Sequence, residues 1–184
     1  MLSTSAVLAI SPAWAAPSVS DDGAASVGRT LAKQQTYPAT GIVAGMLDAR
    51  GQRVVTQGTS DAAAGRALDG DTVFDIASTS KQFAAASIVL LANEGPLSLS
   101  DDVRKHVPEL PSYGKVITVD HLLRHISGLR DYNGLLYLGG HYFEDYTTDD
   151  DALAVIVAQR NTNFVPGTKW DYSNTGFFLL SVIV

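Results

Sequence analysis

The sequence predicts an α+β fold in which an antiparallel sheet is flanked by helices and accompanied by a helical subdomain. Two observations carry that expectation. Gly41-Ile-Val-Ala-Gly-Met-Leu47 and Arg53-Val-Val-Thr-Gln-Gly58 are β-rich runs on either side of Asp48-Ala-Arg-Gly51, the pattern of an antiparallel hairpin. Several helices are expected in the remaining chain, the longest an apolar one running from Gln82 to Asn93.

Composition sets the outer limits. The chain has 184 residues, near the prior for one domain, with 46% hydrophobic and 17% charged residues, which is a globular balance. A net charge of −6 without any basic cluster argues against nucleic acid as a partner. No cysteine is present, so disulfides and thiolate metal sites are excluded. At the N-terminus, Ala6-Val-Leu-Ala-Ile10 is a short apolar core and Ala13-Trp-Ala15 a small-x-small cleavage signal. The apolar core is too short for a stable membrane span. Residues 1–15 are therefore expected to be a signal peptide for export to the periplasm or the exterior, although no Lys or Arg precedes the apolar core. Residues 16–25 read as a linker and 26–184 as the folded domain.

Within that domain, Ser26 to Gln35 predicts a short helix ahead of the hairpin. Thr72-Val-Phe-Asp-Ile76 is an extended run leading into the apolar helix, which stops at Gly95-Pro96, a glycine-then-proline terminator. Asp101 and Asp102 can start another short helix. Thr118 is placed as the N-cap of a helix reaching His125. Residues 127–147, rich in glycine and aromatics, read as one long loop. Glu144 to Asp151 is an acidic stretch whose last aspartates are expected to cap a helix from Asp151 to Arg160. Phe164-Val-Pro-Gly167 is a turn, and Thr175 to Val184 an apolar helical run with no polar last turn. That run, and a hairpin of only two strands, are surfaces expected to need further covering chain.

Ser78-Thr-Ser-Lys81 is the first candidate for chemistry. On a helix, residues three apart share a face, which sets the Lys81 amine beside the Ser78 hydroxyl. Serine alone is a poor nucleophile, and an adjacent amine kept partly neutral can take its proton. The letters alone are weak: Ser112-Tyr-Gly-Lys115 also matches, but the proline and glycine around it argue for a loop. A second constellation is Tyr172-Ser-Asn174, placed on a tight turn from which a phenol and an amide can face one cavity. The phenol can relay a proton, and the amide can orient Lys81 and a substrate carbonyl. His121 and His125 have the i, i+4 spacing of a helical zinc pair, but no Glu lies between them and no third ligand is evident. No metal and no cofactor are expected.

Three segments taken in order carry more than any alone. Phe74-Asp-Ile-Ala-Ser78-Thr-Ser-Lys81, His121-Leu-Leu-Arg-His125-Ile-Ser-Gly-Leu129 and Val165-Pro-Gly-Thr-Lys-Trp-Asp-Tyr172-Ser-Asn-Thr-Gly176 together resemble the serine β-lactamase and penicillin-binding-protein superfamily. The branch they resemble holds class C β-lactamases, related esterases and D-alanyl-D-alanine carboxypeptidases, and the likeness covers about residues 26 to 184. It implies a β-lactamase/DD-peptidase-like fold. By the same likeness Ser78 is the acylated nucleophile, Lys81 its proton acceptor, Tyr172 the second acid/base group and Asn174 a polar partner in substrate binding. The Ser78 backbone N–H, at a helix N-terminus, is expected to supply half of an oxyanion hole.

The implied activity is hydrolysis of an amide, β-lactam or ester carbonyl through an acyl-enzyme, with a small molecule or peptide as substrate. The family carries a further element, Lys or His followed two residues later by Gly, on a strand beside the nucleophile. No Lys or His of this chain begins such a triplet. The expectation is therefore an N-terminal half of the fold, with its C-terminal strands missing. The alternative is a truncated, non-catalytic relic or binding module.

Overall fold

The structure, a computed structural model, describes residues 21–34, 41–48, 51–142 and 145–184. The expected signal peptide, and the linker as far as residue 20, lie outside the described residues. The chain forms two compact units, one ending at Asp75 and one beginning at Ile76.

In the first unit, helix α1 (Asp21–Gln34) starts earlier than its expected position at Ser26 and takes in residues 21–25 of the predicted linker. It packs on the hairpin of β1 (Ile42–Asp48) and β2 (Gly51–Gln57). Gly28 faces Val55 across that contact, where a Cβ would lie at an ordinary van der Waals distance of 3.6 Å from Val55 Cγ1. The antiparallel register runs from Ile42 opposite Gln57 to Asp48 opposite Gly51, so the expected hairpin is present with both strands reaching into the predicted turn. Along β2, Arg53, Val55 and Gln57 are half-buried while Gln52, Val54 and Thr56 face solvent, the two-residue period of a strand with one covered side. A second small ladder, β3 (Thr59–Asp61) with β4 (Arg66–Ala67), was not anticipated. Its strands are too short to show a period. A side-chain bond from the Ala64 N–H to Asp61 Oδ1 (3.0 Å) closes the connection.

The run Thr72–Ile76 leads into the next helix without joining a ladder among the described residues. Thr72 is drawn into a side-chain-closed turn: its hydroxyl donates to Asp69 Oδ1 (2.8 Å) and accepts the Asp69 N–H (3.1 Å).

The second unit is helical. A 3₁₀ turn (Ala77–Ser80) passes directly into α2 (Lys81–Glu94), which ends at Gly95 with φ 98°, as the terminator predicted. Asp102 caps a 3₁₀ turn (Val103–Lys105) by accepting the Arg104 N–H at 3.0 Å. Asp101 accepts from Lys105 Nζ (2.9 Å), His106 Nε2 (3.0 Å) and the Ser98 N–H (3.0 Å). Lys105 first, then the Ser98 amide and His106, hold its carboxyl far below the ordinary range.

Helix α3 (Val119–Leu123) carries the expected Thr118 cap, and His121 Nδ1 accepts the Thr118 N–H in return. It is shorter than predicted because His125 adopts φ 57°. That turn ends the helix and breaks the i, i+4 geometry of the two histidines. Helix α4 (Tyr132–Leu138) corrects the expectation of one long loop. Its start is fixed by Asp131, which accepts the N–H groups of Asn133 and Gly134. Helix α5 (Asp149–Val157) has Thr148 as its N-cap, Asp151 Oδ2 accepts the Thr148 N–H in return (2.9 Å), and Asp149, Asp150 and Asp151 occupy the first turn, where the dipole favours negative charge. Helix α6 (Asn174–Ile183) follows.

Helix α6 packs against α2, α3 and α4 and organises the core. Ile88 of α2, Val119 and Leu122 of α3, and Leu179 and Leu180 of α6 are all 0% exposed, each worth roughly 1.5–3 kcal/mol of burial. Gly176 lets α6 approach α3, since a Cβ there would meet the Leu122 carbonyl oxygen at 3.1 Å. Helix α2 is apolar around its circumference, with Ile88 buried and Phe83, Val89 and Leu90 exposed. No helix among the described residues is long and apolar enough to cross a membrane.

Gly128 joins the segment after α3 to the turn before α6. Its φ is 74°, its carbonyl accepts the Asn163 N–H (2.8 Å), and a Cβ would collide with the Phe164 carbonyl oxygen. Gly128→Ala is therefore expected to lower stability by about 2 kcal/mol or more, through left-handed strain and the clash together. A urea titration reads this as a lower midpoint at unchanged slope; an unchanged midpoint would contradict it.

Candidate active site

Ser78 lies in the 3₁₀ turn and Lys81 is the first residue of α2. In a 3₁₀ helix residues i and i+3 eclipse, which brings the two side chains together more directly than an α-helical turn would. Lys81 Nζ donates to Ser78 Oγ at 3.0 Å. The Ser78 N–H sits in the first turn of a helix, where backbone donors lack an intrahelical acceptor.

Tyr172 and Asn174 arrive from far along the chain. They occupy an extended segment entering α6, with Ser173 at φ −141° and ψ 125°, rather than the expected tight turn. Neighbours in an extended segment point to opposite sides, so Tyr172 and Asn174 share a side while Ser173 is buried. The Tyr172 Oη and Ser78 Oγ are 2.8 Å apart, and Lys81 Nζ donates to Asn174 Oδ1 at 2.9 Å. All four residues singled out from the sequence thus meet around one ammonium group. That ammonium also lies 5.2 Å from the ring centroid of Tyr172 and 5.7 Å from that of Phe177, within cation–π range. Beside Lys81 and Asn174 a cavity of about 250 Å³ opens between α2 and α6, lined further by Ala84, Tyr132 and Phe177.

The electrostatics follow from the lysine. Lys81 foremost, then the Ser78 hydroxyl, hold the Tyr172 phenol below its ordinary value of 10.0, against a smaller opposing effect of desolvation. Both Ser78 and Tyr172 are exposed, so a reactant can reach the pair.

Several residues that support this arrangement were not found from the sequence. Asp131 accepts the Asn174 N–H through Oδ2 while Oδ1 caps α4, so one carboxylate fixes two helix starts. Thr175, fully buried, donates to the Arg130 carbonyl (2.7 Å) and accepts the Tyr132 N–H (2.9 Å). The Asp131 signal, a capping aspartate ahead of Tyr-Asn, was present but hidden inside a stretch dominated by glycine. His125 stacks on Tyr172 with ring centroids 4.6 Å apart and planes at 28°. Its Nδ1 accepts the Ser173 N–H at 3.2 Å, so the neutral ring carries its proton on Nε2. Burial first, then the Lys81 charge, pushes the His125 pKa below its usual 6.5.

The chain matches the family model described as Beta-lactamase over residues 29–184. It is 36% identical over 119 residues to a penicillin-binding protein of Bacillus subtilis, covering 65% of this chain and 26% of that protein. It is 37% identical over 115 residues to a D-aminopeptidase of Gluconobacter oxydans, covering 61% of this chain and 21% of the relative. The chain thus spans about a quarter of the length of these curated relatives. Among solved structures, an octameric penicillin-binding protein homologue from Pyrococcus abyssi superposes with a TM-score of 0.70 at 28% identity, over 89% of this chain and 38% of that one.

The carboxylate of Asp131 serves three backbone donors at once. Asp131→Ala is expected to cost about 2–4 kcal/mol, combining a lost N-cap with a lost charge-assisted bond to Asn174. Thermal unfolding checks the loss, and Asp131→Asn should recover part of it because its amide oxygen still accepts.

Proposed function

The chain belongs to the β-lactamase family, and from that premise we propose that it acts as a serine acyl-enzyme hydrolase on an amide, β-lactam or ester carbonyl. The observation that supports this most is the linked set of hydrogen bonds among Ser78, Lys81, Tyr172 and Asn174. A serine whose oxygen accepts from an ammonium donor and touches a phenol of lowered pKa has both its lone pair and its proton placed for reaction.

The step runs as follows. Ser78 Oγ forms a bond to the carbonyl carbon while its proton passes to an adjacent base. Lys81 Nζ and Tyr172 Oη are both within reach, and the path to Tyr172 is favoured by two facts. Nζ already donates to Ser78 Oγ, which leaves the serine hydrogen free to point at Oη, and the neighbouring charge stabilises the phenolate. As the tetrahedral adduct collapses, the bond to the leaving nitrogen or oxygen breaks and the tyrosine proton goes to that atom. Water then attacks the acyl carbonyl, losing a proton to the same base, and as that adduct collapses the bond from carbon to Ser78 Oγ breaks and Tyr172 returns the proton to Oγ. Lys81 stays bound to Asn174 throughout and holds positive charge beside the developing negative oxygens. The D-aminopeptidase relative favours an amide or peptide bond as the natural target.

Intact mass spectrometry tests the proposal directly. Incubation with benzylpenicillin or a p-nitrophenyl ester is expected to add the acyl mass on Ser78, and Ser78→Ala to abolish the adduct. Tyr172→Phe is expected to slow acylation about 10²–10⁴-fold, the usual worth of a positioned acid/base group. Soluble, folded chain that takes up neither reagent would sink the reading.

The pH dependence has a defined sign. Deprotonated Tyr172 is the reactive form, and a nearby positive charge favours it, so the rising limb of the acylation rate is expected below the ordinary tyrosine range. Replacing Lys81 by Gln removes the charge and should move the limb of the residual rate upward, toward 10. A limb that stays put would show that Tyr172 does not control it.

A further inference from the structure

His125 holds Tyr172 from three sides. Its carbonyl oxygen accepts the N–H of Asp171 at 2.9 Å, immediately before the tyrosine. Its Nδ1 accepts the N–H of Ser173 at 3.2 Å, immediately after it. Between those two bonds its ring lies against the phenol ring at 4.6 Å, with Phe177 at 5.2 Å and Trp170 edge-on at 6.1 Å completing an aromatic frame. The backbone of His125 is at φ 57°, a conformation uncommon for a side chain of this size. That conformation ends α3 and lets one residue present both its carbonyl and its ring nitrogen to the same short segment. No other common side chain joins a flat stacking face to a hydrogen-bond acceptor at Nδ1.

We propose that His125 is the positioning residue for Tyr172, a neutral ring that grips the chain on both sides of the phenol and sets its oxygen against Ser78. The inference rests on the acyl-enzyme reading for its consequence in catalysis, but not for the grip itself. Tyr172 is exposed, and its Oη keeps a 2.8 Å contact with Ser78 only if its backbone and ring plane are fixed from elsewhere. The stacked His125 ring and the paired bonds at Asp171 and Ser173 supply that fixing. The charged and titratable groups around the pair are Lys81 from α2 and Asp131 from the start of α4, while α6 contributes the uncharged Phe177. A second positive charge on the ring would be opposed by Lys81, and protonation at Nδ1 would remove the acceptor used by Ser173.

The test uses the 184-residue chain, ¹³Cζ-labelled at tyrosine for an NMR titration and assayed in parallel for acylation by a p-nitrophenyl ester. His125→Phe keeps a flat ring and deletes the acceptor. His125→Asn keeps a side-chain acceptor, tolerates the left-handed backbone and deletes the ring. In the parent chain the Tyr172 signal, identified by its loss in Tyr172→Phe, is expected to titrate below the other tyrosines. In both His125 variants it should return toward the ordinary tyrosine range as Oη leaves Lys81 and Ser78. Acylation should fall about 100-fold, the scale of a misplacement near 1 Å. A merely structural role would lower the melting temperature and leave the titration of Tyr172 in the folded fraction unchanged, and that result overturns the proposal.

A measurement on the unmutated protein covers the case in which the variants do not fold. Long-range ¹⁵N–¹H spectra should show His125 as the Nε2–H tautomer with Nδ1 accepting through the neutral pH range. A ring protonated on Nδ1 there overturns the proposal outright. If the parent chain takes up no acyl group, the hydrolase reading fails, while the NMR arms still decide whether His125 sets Tyr172.

Discussion

The segment Tyr172-Ser-Asn-Thr175 is where the second unit is tied together, and the constraint on it is the buried entry to α6. Ser173 and Thr175 are buried, while Tyr172 Oη lies against Ser78 Oγ and Asn174 Oδ1 accepts from Lys81. The N–H groups of 171, 173 and 174 are bound by His125, His125 and Asp131 respectively, and the Thr175 hydroxyl bridges Arg130 and Tyr132. Four of the five residues from 171 to 175 are therefore anchored to one short stretch, residues 125 to 132. Moving any one of them displaces the start of α6 and, with it, the core around Leu179 and Leu180.

This coupling explains why the site needs little from its own residues to stay in place. Ser78 and Lys81 are held by the continuity of a 3₁₀ turn with α2, whose Ile88 is locked in the core about two turns further on. Tyr172 and Asn174 are held by α6, and α2 and α6 pack together. The hydrogen bonds at Lys81 thus join two helices already fixed by apolar burial. Every bond named in the site is made within the unit that begins at Ile76. Such preorganisation is what lets a polar cluster act on a developing charge without first having to rearrange.

Much of this was legible in the sequence, for reasons that differ by residue. The Ser78–Lys81 pairing follows from helical spacing, and the ends of α2 follow from Gly95 and Pro96. Thr118 announced itself as a cap by its place ahead of an apolar run. Asn174 and Tyr172 were found as a pair, but their geometry was misjudged. A tight turn and an extended entry to a helix put residues two apart on one side equally well, and only tertiary contacts distinguish them. Helix α4 was missed because Asn133, Gly134, Gly139 and Gly140 lower its propensity, and the Asp131 cap with the burial of Leu136 overrides them. Thr72–Ile76 differs in another way: its β-rich composition favours pairing, but Asp69 captures Thr72 locally and the run joins no ladder among the described residues.

One lysine pushes its two aromatic neighbours in the same direction, toward their deprotonated forms. A cation beside Tyr172 favours the anion and lowers the phenol's pKa. The same cation disfavours a second positive charge on His125 and lowers that pKa as well, adding to the effect of burial. Both shifts act in the direction of a site with one cation, one neutral imidazole and one phenol whose proton is easily lost. Folding consequently opposes protonation of His125. The unfolded chain binds that proton more readily, so the second unit gives up stability as pH falls below the ordinary histidine value near 6.5. The loss begins where protonated His125 would also release Ser173 and loosen Tyr172. Acid thus weakens the fold and the base at the same residue, because a single ring nitrogen serves both.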